Sequence, residues 1–161
     1  PNHMKSILDI GCGTGLVALE VRDYCKKLYG VDLSALMLVE AEEKKLYDKL
    51  YHSDIVEFLS TEPLDFDLYI AADVFIYIGD LLELFRLIKF HAKKSGKLIF
   101  STEHTESDGF HLQRSGRYSH SKTYIKTLCQ KFDYQISYFS KVDLRKEKGE
   151  FISGALYILD F

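Results

Sequence analysis

Asp9 and the three glycines after it, Gly11, Gly13 and Gly15, are the residues of this chain best suited to holding a small polar ligand. Glycine reaches backbone conformations closed to other residues and puts no side chain between main chain and ligand. A short apolar run (Ile7, Leu8, Ile10) precedes the turn, and residues 16–27 after it read as a helix. The turn would therefore present the unpaired N–H groups of a helix start. Its spacing, Gly-Cys-Gly-Thr-Gly, is one residue short of the G-x-G-x-x-G that cradles a dinucleotide pyrophosphate. An acid just before the turn would repel a diphosphate and suits a ligand carrying an ammonium group. Cys12 lies inside the turn as a small residue able to touch such a ligand. A tight turn with no ligand at all is the alternative.

Asp32 is the second chemical signal. It ends another short apolar segment, ~20 residues beyond the first glycine, where an acid can accept the hydroxyls of a ribose. Leu33 beside it offers an apolar face to a base. Asp54 follows a third segment, with a helix N-cap as its competing role. Ala71-Ala72-Asp73-Val74 closes a fourth, at the end of a strand where open sheets bind ligands.

The run Asp9-Ile-Gly-Cys-Gly-Thr-Gly15 resembles the cofactor motif of the class I S-adenosylmethionine-dependent methyltransferases. The resemblance extends over nearly the whole chain after Met4. It implies a three-layer αβα, Rossmann-like α/β fold, with seven strands in the order 3-2-1-4-5-7-6 and strand 7 antiparallel. It also implies S-adenosylmethionine as cofactor, with S-adenosylhomocysteine as product. The cofactor residues it implies are Asp9, Gly11, Cys12, Gly13, Gly15, Asp32, Leu33, Ser53, Asp54, Ile55, Ala72 and Asp73. Methyl transfer from a sulfonium is an in-line displacement with an activated leaving group, so orientation carries the rate and a base is needed only where the acceptor holds a proton. Candidates for that base are His104, Tyr118 and His120, with Glu103 and His111 as further options; Tyr77, His111 and Arg117 are the substrate-binding candidates. The acceptor is expected to be a small molecule or a protein side chain. Residues 109–121 resemble a narrower bacterial group of methyltransferases, often attached to tetratricopeptide repeats, through Gly116-Arg-Tyr-Ser-His-Ser121.

These residues need a scaffold, and the pattern supplies an alternation of short apolar strands with helices, the βαβ signature. Strands are expected at 28–32, 50–52, 66–72 and 97–102 after the first. Helices are expected at 34–47, from Asp54 through 59, and at 81–92. Residues 104–120 are polar and carry no helical stripe, reading as a long functional loop. A helix from Ser121 to 131 is followed by strands at 134–142 and 151–160, joined by a charged loop at 145–150. So short a connection requires an antiparallel pair.

Composition narrows the partners. The 161 residues suffice for one domain, taken as 5–161, with 1–4 read as a tag remnant. The lid helices usual in the family have no counterpart before the first strand, so a repeat or lid region is expected to be missing. A net charge of -3 gives no support to nucleic-acid binding. The three cysteines, Cys12, Cys25 and Cys129, are too widely spaced for a disulfide framework or a zinc site. No membrane span and no signal peptide are visible, and a cytoplasmic location is expected. Two rivals stand beside the methyltransferase: a non-catalytic cofactor-binding module in assembly or regulation, and a nicotinamide dehydrogenase, disfavoured by the glycine spacing.

Overall fold

The computed structural model describes residues 4–61, 65–91, 95–147 and 149–161. Residues 1–3 of the tag reading, and Ala92 at the expected end of a helix, lie outside the described residues.

Five parallel strands form the centre. They are β1 (Met4–Ile10), β2 (Cys25–Asp32), β3 (Lys49–His52), β4 (Leu68–Ala71) and β5 (Lys97–Thr105), lying in the order β3-β2-β1-β4-β5. After β5 the chain makes two short strands, β6 (Phe110–Leu112) and β7 (Tyr118–Ser121), and ends in the long hairpin β8 (Gln135–Glu147) and β9 (Glu150–Asp160). β9 runs antiparallel between β5 and β8. Counted without the β6–β7 insertion, the sheet has the 3-2-1-4-5-7-6 order with its last strand antiparallel, as the resemblance implied.

The helices are α1 (Leu16–Val21), α2 (Ala35–Glu43), α3 (Ile55–Thr61), α4 (Leu82–His91) and α5 (Lys122–Phe132). One face of the sheet meets α3, α4 and α5, burying Leu8, Ile10, Tyr69, Phe85, Phe100, Ile125 and Tyr157 in the larger core. Phe100 and Tyr157, cross-strand partners on β5 and β9, stack with ring centroids 4.9 Å apart. The other face is covered by α1 and by Leu46 and Tyr47, which follow α2, over Ile7, Leu28, Leu68 and Ile70. The inward alternation of these residues is what period-two burial on a sheet requires.

Two expectations are corrected. The helix read over 16–27 stops at Val21; a 3-10 turn, Arg22–Tyr24, follows, and β2 already begins at Cys25. Met4 and Ser6 pair in parallel register with Cys25 and Lys27, so ladder bonds to a distant strand replace the local helix. The loop read over 104–120 is instead the extended end of β5 followed by the β6–β7 hairpin. Glu103, His104 and Thr105 pair with Ser119, His120 and Ser121 of β7. Glu103 also pairs with Gly154 of β9, so β7 flanks β5 on the edge opposite β9, beyond the end of β4.

Candidate functional site

The glycine turn has the geometry its sequence demands. Gly11, Gly13 and Gly15 all have positive φ, at 64°, 53° and 85°, which side-chain-bearing residues rarely adopt. A Cβ on Gly11 would come 2.4 Å from Cγ2 of Val74, so the segment after β4 sits directly on the turn. At Gly13 the nearest neighbour would be the Met37 sulfur at 3.7 Å, leaving its outer side open. Cys12 is buried, its N–H donating to the Val31 carbonyl at 3.1 Å, and burial beside Asp9 and Asp32 pushes its thiol up to about 12. It is therefore a packed thiol and no nucleophile.

Asp32 ends β2 facing the turn. One carboxylate oxygen accepts the Gly13 N–H at 2.8 Å and the other accepts the Ser34 N–H at 2.8 Å. Each oxygen keeps a second lone pair, so the carboxylate ties the turn to the α2 cap and can still accept from a ligand. Leu33, next along, is 68% exposed. Ser53 follows β3, its N–H bonded to the Asp32 carbonyl. Asp54 caps α3, accepting the Val56 and Glu57 N–H groups through one oxygen, and Ile55 is half-buried behind it.

Ala72 and Asp73 are exposed at the end of β4. Asp73 takes a left-handed φ of 55°, and its N–H donates to Ser101 Oγ on β5 at 3.0 Å. Asp tolerates this conformation better than most residues, and such strain concentrates at functional sites. Asp32 is close enough to Asp9 to raise its proton affinity, and Asp54 and Asp73 follow on the neighbouring strands. The carboxyl edge of β1 through β4 thus presents carboxylates around a glycine turn. That donor set fits a ligand bearing hydroxyls, an amine and a positive centre, and is wrong for a pyrophosphate.

Asp9 itself does not lie open. It is 1% exposed, and Tyr47, beyond α2, donates its hydroxyl to the carboxylate at 2.6 Å. Burial raises the Asp9 carboxyl to about 7, against the lowering effect of the Tyr47 bond. Sequence reading missed Tyr47, which it placed as an ordinary last residue of the helix expected over 34–47, whereas α2 ends at Glu43.

The candidates on the far side are less uniform. Tyr77 is 64% exposed in the 3-10 turn Phe75–Tyr77. His111 lies on exposed β6, its Nε2 2.7 Å from the Asp108 carbonyl, while Arg117 and Tyr118 are half-buried at the start of β7. His120, a candidate base, lies deeper. It is fully buried, and its Nε2 lies 3.0 and 2.9 Å from the carbonyls of Ile78 and Gly79. Carbonyls only accept, so Nε2 carries the proton, and burial lowers the ring's proton affinity. His104 is also enclosed, its side chain 4% exposed, with Nε2 toward Glu106.

Fold and site together define an α/β domain of the doubly wound kind whose carboxyl edge is acidic. The chain belongs to the methyltransferase domain family, which matches it over residues 8–100. It is similar to Methyltransferase-like protein 27 of Homo sapiens, 49% identical over 51 residues, covering 31% of this chain and 21% of that protein. The uncharacterized methyltransferase C1347.09 of Schizosaccharomyces pombe is 28% identical over 117 residues, 66% of this chain and 41% of its own. The chain thus spans about two fifths or less of these curated relatives. Among solved structures, N-methyltransferase NodS from Bradyrhizobium japonicum, in complex with S-adenosyl-L-homocysteine, shares the fold. Its TM-score is 0.77 at 18% identity, covering 98% of this chain and 78% of that one. No helix among the described residues is long and apolar enough to cross a membrane.

Proposed function

We propose that this chain binds S-adenosylmethionine along the carboxyl edge of β1 to β4 and transfers its methyl group to a small molecule or a protein side chain. The observation that carries this reading is the set of carboxylates, led by Asp9 and Asp32, around a turn of three positive-φ glycines. When bound, the cofactor supplies a methyl group on a positively charged sulfur. Asp32 would accept from the ribose hydroxyls while holding Gly13 in place. Leu33 and Ile55 would give apolar faces to the adenine, with Ser53 and Asp54 at its polar edge. Gly11, Cys12, Gly13 and Gly15 would let the backbone approach, and Ala72 and Asp73 would line the methionine end. Asp9 would compensate the ammonium through the turn.

On the acceptor side, the reading assigns Tyr77, His111 and Arg117 to the substrate. Of the three proposed bases, His104, Tyr118 and His120, Tyr118 is the one whose side chain reaches the surface. The likeness of residues 116–121 to methyltransferases attached to tetratricopeptide repeats supports a place near that bacterial group. Calorimetric titration with S-adenosylmethionine, S-adenosylhomocysteine and NAD tests the cofactor assignment. Binding of either methionine nucleoside without NAD is expected, and tight NAD binding with neither of the others would overturn it. Transfer of a labelled methyl group to fractions of a cell extract then separates an enzyme from a module that only binds.

A further inference from the structure

Resting on the cofactor reading above, we infer that Tyr47 is a positioning residue that braces the glycine turn from behind and holds the Asp9 carboxylate in its working orientation. Tyr47 sits where the chain turns back after α2, past Lys45 with its left-handed φ of 54°. Its ring fills a slot that exists because two elements lack side chains there. A Cβ on Gly15, at the start of α1, would stand 3.0 Å from Tyr47 Cε2; one on Gly30, in β2, would stand 2.9 Å from Cε1. The ring is thus wedged between the turn and the neighbouring strand, and its hydroxyl donates to Asp9 Oδ2 at 2.6 Å. Lys44, the next residue but two before it, adds a second tie by donating Nζ to the Thr14 carbonyl at 2.7 Å. One short segment therefore grips the turn at Thr14, Gly15 and Asp9.

The electrostatics give this brace a measurable signature. The groups around the Asp9 carboxylate are Tyr47 and, further off, Cys12 in the turn and Asp32 on β2. No ion pair among the described residues includes Asp9. The Tyr47 hydroxyl bonds the ionised carboxylate and favours it, while burial and Asp32 oppose it, leaving Asp9 poised at about 7. A cationic ligand group binds the ionised form, so affinity should tighten as pH rises through neutrality. Removing the hydroxyl must shift that midpoint upward.

Tyr47→Phe keeps the ring in its slot and deletes the one bond, and calorimetry with S-adenosylhomocysteine between pH 6 and 8.5 reads the consequence. If the midpoint rises by about one pH unit, affinity falls roughly five- to tenfold at pH 6 and stays within about twofold of the parent at pH 8.5. Carboxyl NMR titration of Asp9 in the cofactor-free proteins should show the same upward displacement. Tyr47→Leu, which also empties the slot, should weaken binding at every pH. A parent that binds while Tyr47→Phe shows an unshifted profile would overturn the brace and leave the cofactor reading standing. A parent that binds no methionine nucleoside at any pH would overturn both.

Discussion

Asp32 does two jobs with one carboxylate, and this changes what its removal should do. Read as a strand-end acid at the ligand edge, Asp32→Ala would be expected to cost binding and leave folding alone. In the structure both oxygens already accept backbone N–H groups, from Gly13 and Ser34, at 2.8 Å each. Hydrogen bonds to a charged acceptor contribute roughly 1.5–3 kcal/mol apiece, less what water restores at a half-buried site. Asp32→Ala should therefore lower the urea-unfolding free energy by about 1–3 kcal/mol and also weaken S-adenosylhomocysteine binding at least about tenfold. Asp32→Asn, which keeps one acceptor, should fall between. Unchanged stability with lost binding would show that the two backbone bonds carry little in solution. Asp54, which caps α3 through one oxygen, divides its carboxylate in the same manner.

At the scale of elements, the β6–β7 hairpin is what the sequence concealed. Its strands are three and four residues long, all of β6 is exposed, and its rings pack against a segment some forty residues earlier. A Cβ on Gly79 would lie 2.8 Å from Tyr118 Cε1 and 3.0 Å from Phe110 Cε2, and His120 grips the carbonyls of Ile78 and Gly79 from beneath. No local periodicity encodes a fit of this kind, so residues 104–120 read as a polar loop. The same limit hid Tyr47, whose partners lie on β1, the turn and β2. What was legible is what the local chain dictates: the glycine turn, Asp32 at a strand end, helix starts near Ser34 and Ser121, and a terminal hairpin that had to be antiparallel. His120→Phe should test the structural role of the hairpin. It keeps a ring and leaves two partly buried carbonyls without their donor, costing about 1–3 kcal/mol of stability. Cofactor affinity should stay within about twofold. Loss of affinity with intact stability would return His120 to the binding machinery.

Across the whole molecule, two buried groups make stability depend on pH with opposite signs. His120 has its proton affinity lowered by burial, so its contribution is present above the unfolded value of 6.5 and is lost as pH falls through the lower folded value. Asp9 is raised from 3.8 to about 7, so its contribution is full below 3.8 and is lost as pH rises through about 7. The cofactor-free protein thus holds a buried acid that is only about half ionised at neutral pH, and ionising it fully costs up to about 4 kcal/mol, the upper bound set by the rise from 3.8 to about 7. A fold selected for stability alone has no reason to retain it; a site awaiting a cation does. Asp9→Asn removes the ionisation and leaves an oxygen for the Tyr47 hydroxyl. The variant should match the parent near pH 4 and exceed it progressively toward pH 8, in urea unfolding without cofactor. Saturating S-adenosylhomocysteine should reverse that order at pH 8, because only the parent gains the full linkage of ligand to folded state. A stability difference that does not grow with pH would mean that Asp9 is held ionised at little cost, and the coupling of this acid to a bound cation would fall with it.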